Sequence, residues 1–238
     1  MKKAFLFRLI PLVTLIFLAV SLYAFGFLDF LSFAYLKEQR LQIKGIVDSY
    51  PGLSILVFIL GYIVVTALSL PGASFVTLLG GFIFPQPLST LYAVIGATVG
   101  ASILFLACKN AFKEPVERFL KKRAGSKLSE LREGFKNSAA SYMLFLRFVP
   151  LFPFWLVNLA PAFLGVPLRT FVWTTCIGII PGTFVYTQLG RGLSVSFDQS
   201  ALSLSSVFNF DLLLALILLA LFSLMPIVIK HFRKKKHR

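Results

Sequence analysis

Long apolar segments separated by short charged ones dominate the pattern of this 238-residue chain. A helix needs about 20 apolar residues to cross a bilayer, and several segments reach or exceed that length. We therefore predict an all-α polytopic membrane protein. The predicted elements are an N-terminal transmembrane helix in 1–29, an interfacial amphipathic segment in 30–52, a core in 53–190, an external loop in 191–211, and a C-terminal transmembrane helix with a basic tail in 212–238.

Positive charge alternates between the segments that join these elements. Three basic residues precede the first apolar run, 109–137 hold nine basic and four acidic residues, and 230–238 hold six basic residues. By contrast, 29–50 balance three basic against three acidic residues, and 191–211 hold one basic and two acidic residues. Because basic loops stay on the cytoplasmic side, this predicts a multi-pass protein of the cell inner membrane with both termini in the cytoplasm. The net charge of +15 reflects this alternation and does not indicate nucleic acid as a partner.

This orientation requires a re-entrant hairpin early in the core. Residues 53–84 start outside and 88–108 end inside, yet together they contain enough apolar sequence for nearly two crossings. The excess is broken by the sequence SLPGAS at 69–74. Proline removes a backbone donor and glycine loosens a helix, so the chain can turn back at this point. We predict a hairpin over 53–84, then a transmembrane helix over 88–108, followed by a basic cytoplasmic loop over 109–137.

The second half of the core repeats this arrangement from the opposite side of the membrane. A hairpin over 139–165, broken at PLFP (150–153), precedes a transmembrane helix over 167–190. Four of five gap-free matches between the halves are prolines or glycines, which mark backbone geometry. We therefore predict two inverted repeats, an arrangement typical of transporters with broken helices. A shift of 82 residues aligns Pro71 with Pro153, Pro85 with Pro167, Ile95 with Ile177, Gly96 with Gly178 and Gly100 with Gly182.

Three motifs in the core, namely LPGASFVTLLGGFIF from Leu70, RFVPLFPFWLVN from Arg147 and GIIPGTFVY from Gly178, resemble those of the DedA superfamily. The closer resemblance is to its VTT-domain branch, the SNARE-associated Golgi-type membrane proteins, and it covers about 53–190. It implies two opposed re-entrant hairpins that meet near the bilayer midplane. It also implies work on lipids, either phospholipid scrambling or the recycling of undecaprenyl phosphate.

The resemblance carries over residue by residue, with departures at several positions. The family's hairpin arginine falls on Arg147 and its hairpin asparagine on Asn158. A second arginine after the proline turn is missing, and neither 53–108 nor 142–190 contains Asp or Glu. Proton coupling through intramembrane carboxylates is therefore not expected. The residues assigned to hairpin geometry are Pro71, Gly72, Gly80, Gly81, Pro150, Pro153, Gly178, Pro181 and Gly182.

Arg147 is the residue that an apolar core explains least. A central arginine costs a helix roughly 2.5–3.5 kcal/mol on insertion scales, so an arginine that is retained has a partner. Without a carboxylate in the repeats, its partners are freed carbonyls, water or a ligand's anion, and a guanidinium suits phosphate through two parallel hydrogen bonds. The helical arms that begin again after Pro71 and Pro153 would add free backbone amide donors at the same depth as Arg147, and Ser74 would cap the first of these arms. We predict a lipid-phosphate site formed by Arg147, Asn158 and Ser74. Purely structural roles, in which Arg147 and Asn158 bond loose backbone, stay open.

No catalytic, metal or cofactor site is expected from this sequence. Its only histidines, His231 and His237, lie in the tail, and it has no nucleophile elbow, P-loop or intramembrane aspartate pair. The predicted function is transport or scrambling of a phospholipid or an undecaprenyl phosphate-type lipid between leaflets, without hydrolysis. A small-anion transporter or channel is one alternative, and a scaffold that binds partner proteins through 110–136 is another. The sequence leaves homo-oligomerisation open.

Overall fold

The computed structural model describes residues 2–24, 33–70, 72–122, 127–148 and 153–198, together with Leu213 and Ile217. These residues form α-helices and contain no β-strand, which confirms the predicted all-α class. The helices are α1 (Lys2–Ala24), α2 (Phe33–Ser49), α3 (Pro51–Ala67), α4 (Ala73–Ile83), α5 (Leu88–Lys122), α6 (Lys127–Phe148), α7 (Phe154–Phe163) and α8 (Leu168–Asp198).

Two of the described helices are long and apolar enough to cross a membrane. They are Leu88–Phe112 within α5 and Leu168–Ser196 within α8. The helix α5 continues without interruption to Lys122, so it includes the first part of the segment predicted as a cytoplasmic loop. The apolar part of α1, Leu9–Ser21, is shorter than these two, and the predicted C-terminal crossing at 212–229 lies outside the described residues apart from two positions.

The amphipathic helix α2 meets α3 at a sharp bend. Leu41–Ser49 and Pro51–Ala67 are inclined to each other by 114° across Tyr50. Proline is well suited to the first turn of a helix because its missing N–H would have no partner there, so Pro51 starts α3 in a new direction. A polar helix turned sharply away from an apolar one fits the interfacial position predicted for 30–52.

The helices α3 and α4 form an antiparallel hairpin. The chain between them includes Ser69 with φ 52° and Gly72 with φ 131°, and a φ of this kind is readily adopted by glycine. The hydroxyls of Tyr62 and Thr77 lie 2.7 Å apart, although a straight helix would separate residues 15 positions apart by about 22 Å. Farther from the turn, Gly80 faces the ring of Phe58. The chain therefore doubles back at the SLPGAS sequence.

The helices α3, α4 and α5 form the first unit of the core, and α6, α7 and α8 form the second. The helix α6 is kinked at Ser138, whose φ of −139° and ψ of 33° are not helical. The apolar arm after this kink ends at Phe148, and α7 begins after Pro153, which precedes its first turn as the N-cap residue. A positive φ at Gly165 closes the connection from α7 to α8. Pro153 at the start of α7 corresponds to the proline turn PLFP in the sequence.

In each unit, the helix that follows the turn (α4 or α7, the returning arm) packs against the long helix of the other unit (α8 or α5, the crossing helix). The helix α4 lies on α8 and α7 lies on α5, while α3 packs on α5 and α6 on α8. The crossing helices α5 and α8 run in opposite directions, because Thr90 meets Thr187 at one end and Phe105 stacks on Phe171 toward the other. If α3, α4 and α5 are exchanged for α6, α7 and α8, these four helix contacts stay the same. This symmetry supports the predicted inversion of the repeats, which stays a prediction.

Glycines allow the backbones of α4 and α8 to come into direct contact. A Cβ atom on Gly81 would overlap the backbone carbonyl of Thr187, and one on Gly190 would overlap the carbonyl of Leu78. Small residues at such crossings are characteristic of helix pairs in membranes, where close van der Waals contact replaces the hydrophobic driving force. The interlock between the first hairpin and α8 therefore depends on these two positions.

We predict that Gly81→Ala and Gly190→Ala lower the thermal unfolding midpoint of the detergent-solubilised protein. The added methyl group meets backbone atoms, which cannot move aside as a side chain can. Gly61→Ala is the matched control, because no atom of the described residues lies within 4 Å of a Cβ at Gly61 in α3. Alanine in an exposed helical position is more favourable than glycine by about 0.5–1 kcal/mol, so this control should unfold at the same or a higher temperature. Equal midpoints for all three variants would contradict the close crossing.

Candidate functional site

Arg147 joins three helices of the second unit. It lies in the last turn of α6, and its Nη2 donates one hydrogen bond to Asn158 Oδ1 in α7 at 2.8 Å. The same nitrogen donates a second bond to Thr175 Oγ1 in α8 at 2.9 Å. Both hydrogens of Nη2 are therefore used, and both acceptors are neutral oxygens.

The partners of Arg147 are buried more deeply than Arg147 itself. Asn158 has no exposed surface and Thr175 only 1%, whereas Arg147 is half-buried. Two donors in this group, Arg147 Nε and Asn158 Nδ2, are buried and have no hydrogen-bond partner among the described residues. A buried donor without a partner loses its interaction with water and gains nothing in exchange. The group thus has unused capacity to bind an acceptor.

A stacked aromatic pair and a glycine determine where Arg147 lies. Its Cζ is 5.5 Å from the centroid of the Phe171 ring, a favourable position for a cation beside a π-system. Phe171 stacks in turn on Phe105, with 4.4 Å between centroids, and both rings are fully buried. On α8, Gly178 makes room for Arg147, because a Cβ there would lie 2.6 Å from Arg147 Cβ.

Among the described residues, no carboxylate balances the charge of Arg147. The sequence has no Asp or Glu in 142–190 or in 53–108, which contain the hairpins and most of both crossing helices. Asn158 and Thr175 supply dipoles but no negative charge. In apolar surroundings an unbalanced positive charge is costly, and an anion that reaches it is strongly favoured. The electrostatics of the site therefore favour an anionic ligand.

The first unit contains a neutral version of the same construction. Tyr62 on the entering arm hydrogen-bonds Thr77 on the returning arm, and a Cβ on Gly96 of α5 would lie 2.7 Å from Tyr62 Cβ. Gly96 is the position that the 82-residue shift aligns with Gly178. In both units a glycine of the crossing helix therefore makes room for a polar residue that ties the two arms of the hairpin. Only the second unit carries charge there.

The structure separates the residues predicted for the site. It brings Arg147 and Asn158 together, whereas Ser74 is exposed and is not among the hydrogen-bond partners of Arg147. The expectation that Ser74 caps α4 is wrong: the N-cap residue is Gly72, and no side chain caps this helix. The reason is that glycine adopts the positive φ required one residue before α4. Among the hairpin-geometry residues, Pro71 and Pro150 lie outside the described residues, and Pro181 lies within α8.

Sequence reasoning missed two members of the site, Thr175 and Phe171. Both lie on the face of α8 that also carries Gly178, since the spacings of four and three residues return to the same side of a helix. Few neutral acceptors occur near the arginine in sequence, so a search for acceptors on the glycine face of α8 would have found Thr175. Phe171 carries no such signal, because its stacking on Phe105 depends on how α5 crosses α8.

We predict that Thr175→Val lowers the free energy of unfolding by about 1 to 2 kcal/mol, because it removes an acceptor from a charged donor without changing side-chain volume. Thr174→Val is the matched control. Thr174 is equally buried but donates only to backbone carbonyls of its own helix, at Thr170 and Phe171. The measurement is reversible unfolding in detergent. A larger loss for Thr174→Val than for Thr175→Val would contradict the assigned contact.

Comparison with known proteins identifies the family. The VTT domain model matches residues 70–192, which is about half of the chain. Transmembrane protein 41B from Mus musculus is 30% identical over 176 residues, covering 74% of this chain and 58% of the relative. The transmembrane protein 41 homolog from Caenorhabditis elegans is 32% identical over 201 residues, covering 81% of this chain and 78% of the relative. No solved structure matches the chain.

These matches identify a family and do not name an activity. The chain spans less than two thirds of the length of the mouse relative, and the names of the relatives state only that they are transmembrane proteins. Arg147, Gly178 and the two interlocking glycines, Gly81 and Gly190, fall within the matched region. The match over half of the chain and the 32% identity across most of the nematode relative show that this chain belongs to the VTT-domain family of the DedA superfamily, together with the transmembrane protein 41 proteins.

Proposed function

We propose that this membrane protein moves a phosphorylated lipid between leaflets without hydrolysing it. The observation that carries the proposal is the charge of Arg147, which is held by Asn158 and Thr175 with no carboxylate in the repeats. The ligand is the phosphate of a phospholipid or of a polyprenyl phosphate. Its acyl or prenyl chains stay in the bilayer while the headgroup passes the arginine.

The arrangement of donors favours phosphate over other ligands. Arg147 Nε and Asn158 Nδ2 are both donors without partners, and Arg147 contributes a full positive charge. Phosphate offers several acceptor oxygens and negative charge, which match a guanidinium and a neighbouring amide. A neutral headgroup such as a sugar would leave the charge unbalanced, so it is a poorer ligand for this group.

The packing of the hairpins supports a role in transport. Each returning arm contacts the crossing helix of the other unit, so a movement of one hairpin is transmitted to both units. Transporters with inverted repeats and broken helices place their substrate where the two units meet. We infer that the repeats are inverted, that the termini face the cytoplasm, and that the protein lies in the inner membrane.

The absence of intramembrane carboxylates from the repeats bears on the source of energy. Proton relays in transporters use chains of Asp, Glu or His, and neither 53–108 nor 142–190 contains any of these residues. We infer that the repeats do not couple lipid movement to protons through such side chains. Exchange would then proceed down the gradient of the lipid.

We predict that full-length protein in proteoliposomes exchanges fluorescent glycerophospholipid between leaflets, measured by quenching from outside, and that empty vesicles do not. Arg147→Ala should lower the exchange rate by about tenfold or more, the ratio expected from losing a hydrogen bond to a charged group. Arg147→Lys should be intermediate, since lysine keeps the charge but not the planar fork. Arg169→Ala, an exposed arginine at the start of α8, is the matched control and should equal wild type.

No exchange by the wild-type protein would contradict scrambling of common phospholipids. The same vesicles loaded with a radiolabelled soluble anion then test the alternative: efflux that Arg147→Ala abolishes would identify a small-anion transporter. Unchanged exchange in Arg147→Ala would show that the lipid moves without this arginine.

Asn158→Asp separates a binding role of Arg147 from a purely structural one. The replacement has nearly the same shape, and its carboxylate would accept the hydrogen bond from Arg147 while neutralising the charge. We expect the variant to unfold at the same or a higher temperature than wild type and to lose lipid exchange, because the anion would now be repelled. If Arg147 serves only to tie the helices together, the variant should exchange lipid at the wild-type rate.

A further inference from the structure

A second cation lies beside the aromatic pair that Arg147 contacts. Lys109 Nζ is 5.5 Å from the centroid of the Phe105 ring, and Phe105 stacks on Phe171 with an interplanar angle of 24°. Arg147 Cζ is also 5.5 Å from its own ring, that of Phe171. Two positive groups from different helices therefore contact different rings of one buried stacked pair.

The ammonium group of Lys109 has more hydrogen-bond donors than described acceptors. Lys109 is half-buried, and among the described residues its Nζ donates one hydrogen bond, to the carbonyl of Val166 at 3.4 Å. This distance exceeds the usual range of about 2.7–3.2 Å, and an ammonium group has three hydrogens to donate. Among the described residues no carboxylate pairs with Lys109. Its charge, like that of Arg147, is held by a carbonyl dipole and an aromatic ring.

The two cations lie at different depths along the crossing helices. Val166, the partner of Lys109, precedes α8, whereas Thr175, a partner of Arg147, lies seven residues into that helix. Seven residues of helix correspond to a rise of about 10 Å. Lys109 lies three residues before the end of the apolar segment Leu88–Phe112. It is therefore near one end of this segment, and Arg147 lies deeper along the same interface.

We propose that Lys109 is an outer binding residue for the same lipid phosphate, which it holds before the headgroup reaches Arg147. The inference rests on the proposed function and adds a second site to it. Passage through a barrier is favoured when binding is divided among sites that each hold the ligand moderately. A strongly hydrated ammonium suits the interface, and a planar guanidinium suits the drier position. Free phosphate shares this chemistry, so the test must distinguish the two sources.

Binding is tested first, on full-length protein in detergent. The probes are short-chain phosphatidic acid, the matched diacylglycerol without phosphate, and inorganic phosphate, each read as a shift of the unfolding midpoint. We expect phosphatidic acid to raise the unfolding midpoint of wild type and of Lys109→Arg. For Lys109→Ala the dissociation constant should be about tenfold larger, because one hydrogen bond to a charged group is lost. Diacylglycerol should not distinguish the variants. Arg169→Ala is the control for lost surface charge.

Lipid exchange in proteoliposomes is tested second, with the same variants. Lys109→Ala should slow exchange of a phosphorylated lipid and leave exchange of fluorescent diacylglycerol unchanged, and Lys109→Arg should restore it. Wild-type binding and exchange in Lys109→Ala, together with loss in Arg147→Ala, would overturn the inference and leave the proposed function intact. Equal slowing of phosphorylated and unphosphorylated lipid would assign Lys109 a structural role and also overturn it.

Three further outcomes separate the inference from the proposed function. A midpoint shift with inorganic phosphate as large as that with phosphatidic acid would replace the lipid by a soluble anion and overturn the lipid assignment of Lys109. No shift with any phosphorylated probe in wild type would overturn both the outer site and the phosphate site at Arg147. Binding of phosphatidic acid that depends on Lys109, in a protein that does not exchange common phospholipids, would support the outer site while contradicting general scrambling.

Discussion

An arginine charge held by neutral oxygens in an apolar protein interior imposes the geometry of the second unit. Because no carboxylate is available, Arg147 needs dipoles from two other helices, and α7 and α8 supply them through Asn158 and Thr175. The rest of the local structure follows from this need. Gly178 lets the arginine approach α8, and Phe171 covers it on one side. The charge of Arg147 thereby ties the three helices together at one point.

The charge would have little effect on the whole molecule if the two units were independent, but they are interlocked. The returning arms α4 and α7 each lie on the crossing helix of the other unit. At Gly81 and Gly190 the approach is at backbone distance, which excludes any larger residue. Close packing of this kind has discrete arrangements and is not continuously deformable. A change at one hairpin therefore acts directly on the crossing helix of the other unit.

The two units share a construction but not a chemistry. Both place a polar residue of the entering arm against a glycine of the crossing helix and tie it to the returning arm. In the first unit the hydroxyl of Tyr62 donates to that of Thr77, which in turn donates to the carbonyl of Ala73, so both hydroxyls have partners. In the second unit the tie leaves a positive charge and two donors unused. The hairpin of the first unit is thus neutral, whereas Arg147 brings a positive charge to the second, and Lys109 of α5 in the first unit lies beside the same aromatic pair.

The sequence by itself predicted the membrane class, the two breaks and the role of Arg147, because these depend on local properties, whereas Asn158 was predicted from the resemblance to a family. Apolar length, loop charge and the positions of proline and glycine act over a few residues, and a lone arginine without carboxylates is visible in the sequence. Only the tertiary structure decided which neutral oxygens hold that arginine, that Ser74 takes no part, and that Lys109 lies beside the same rings. The packing of α6 on α8 brings Thr175 and Phe171 to Arg147, and the antiparallel crossing of α5 and α8 places Lys109 beside the same rings. No local pattern encodes the register of either contact.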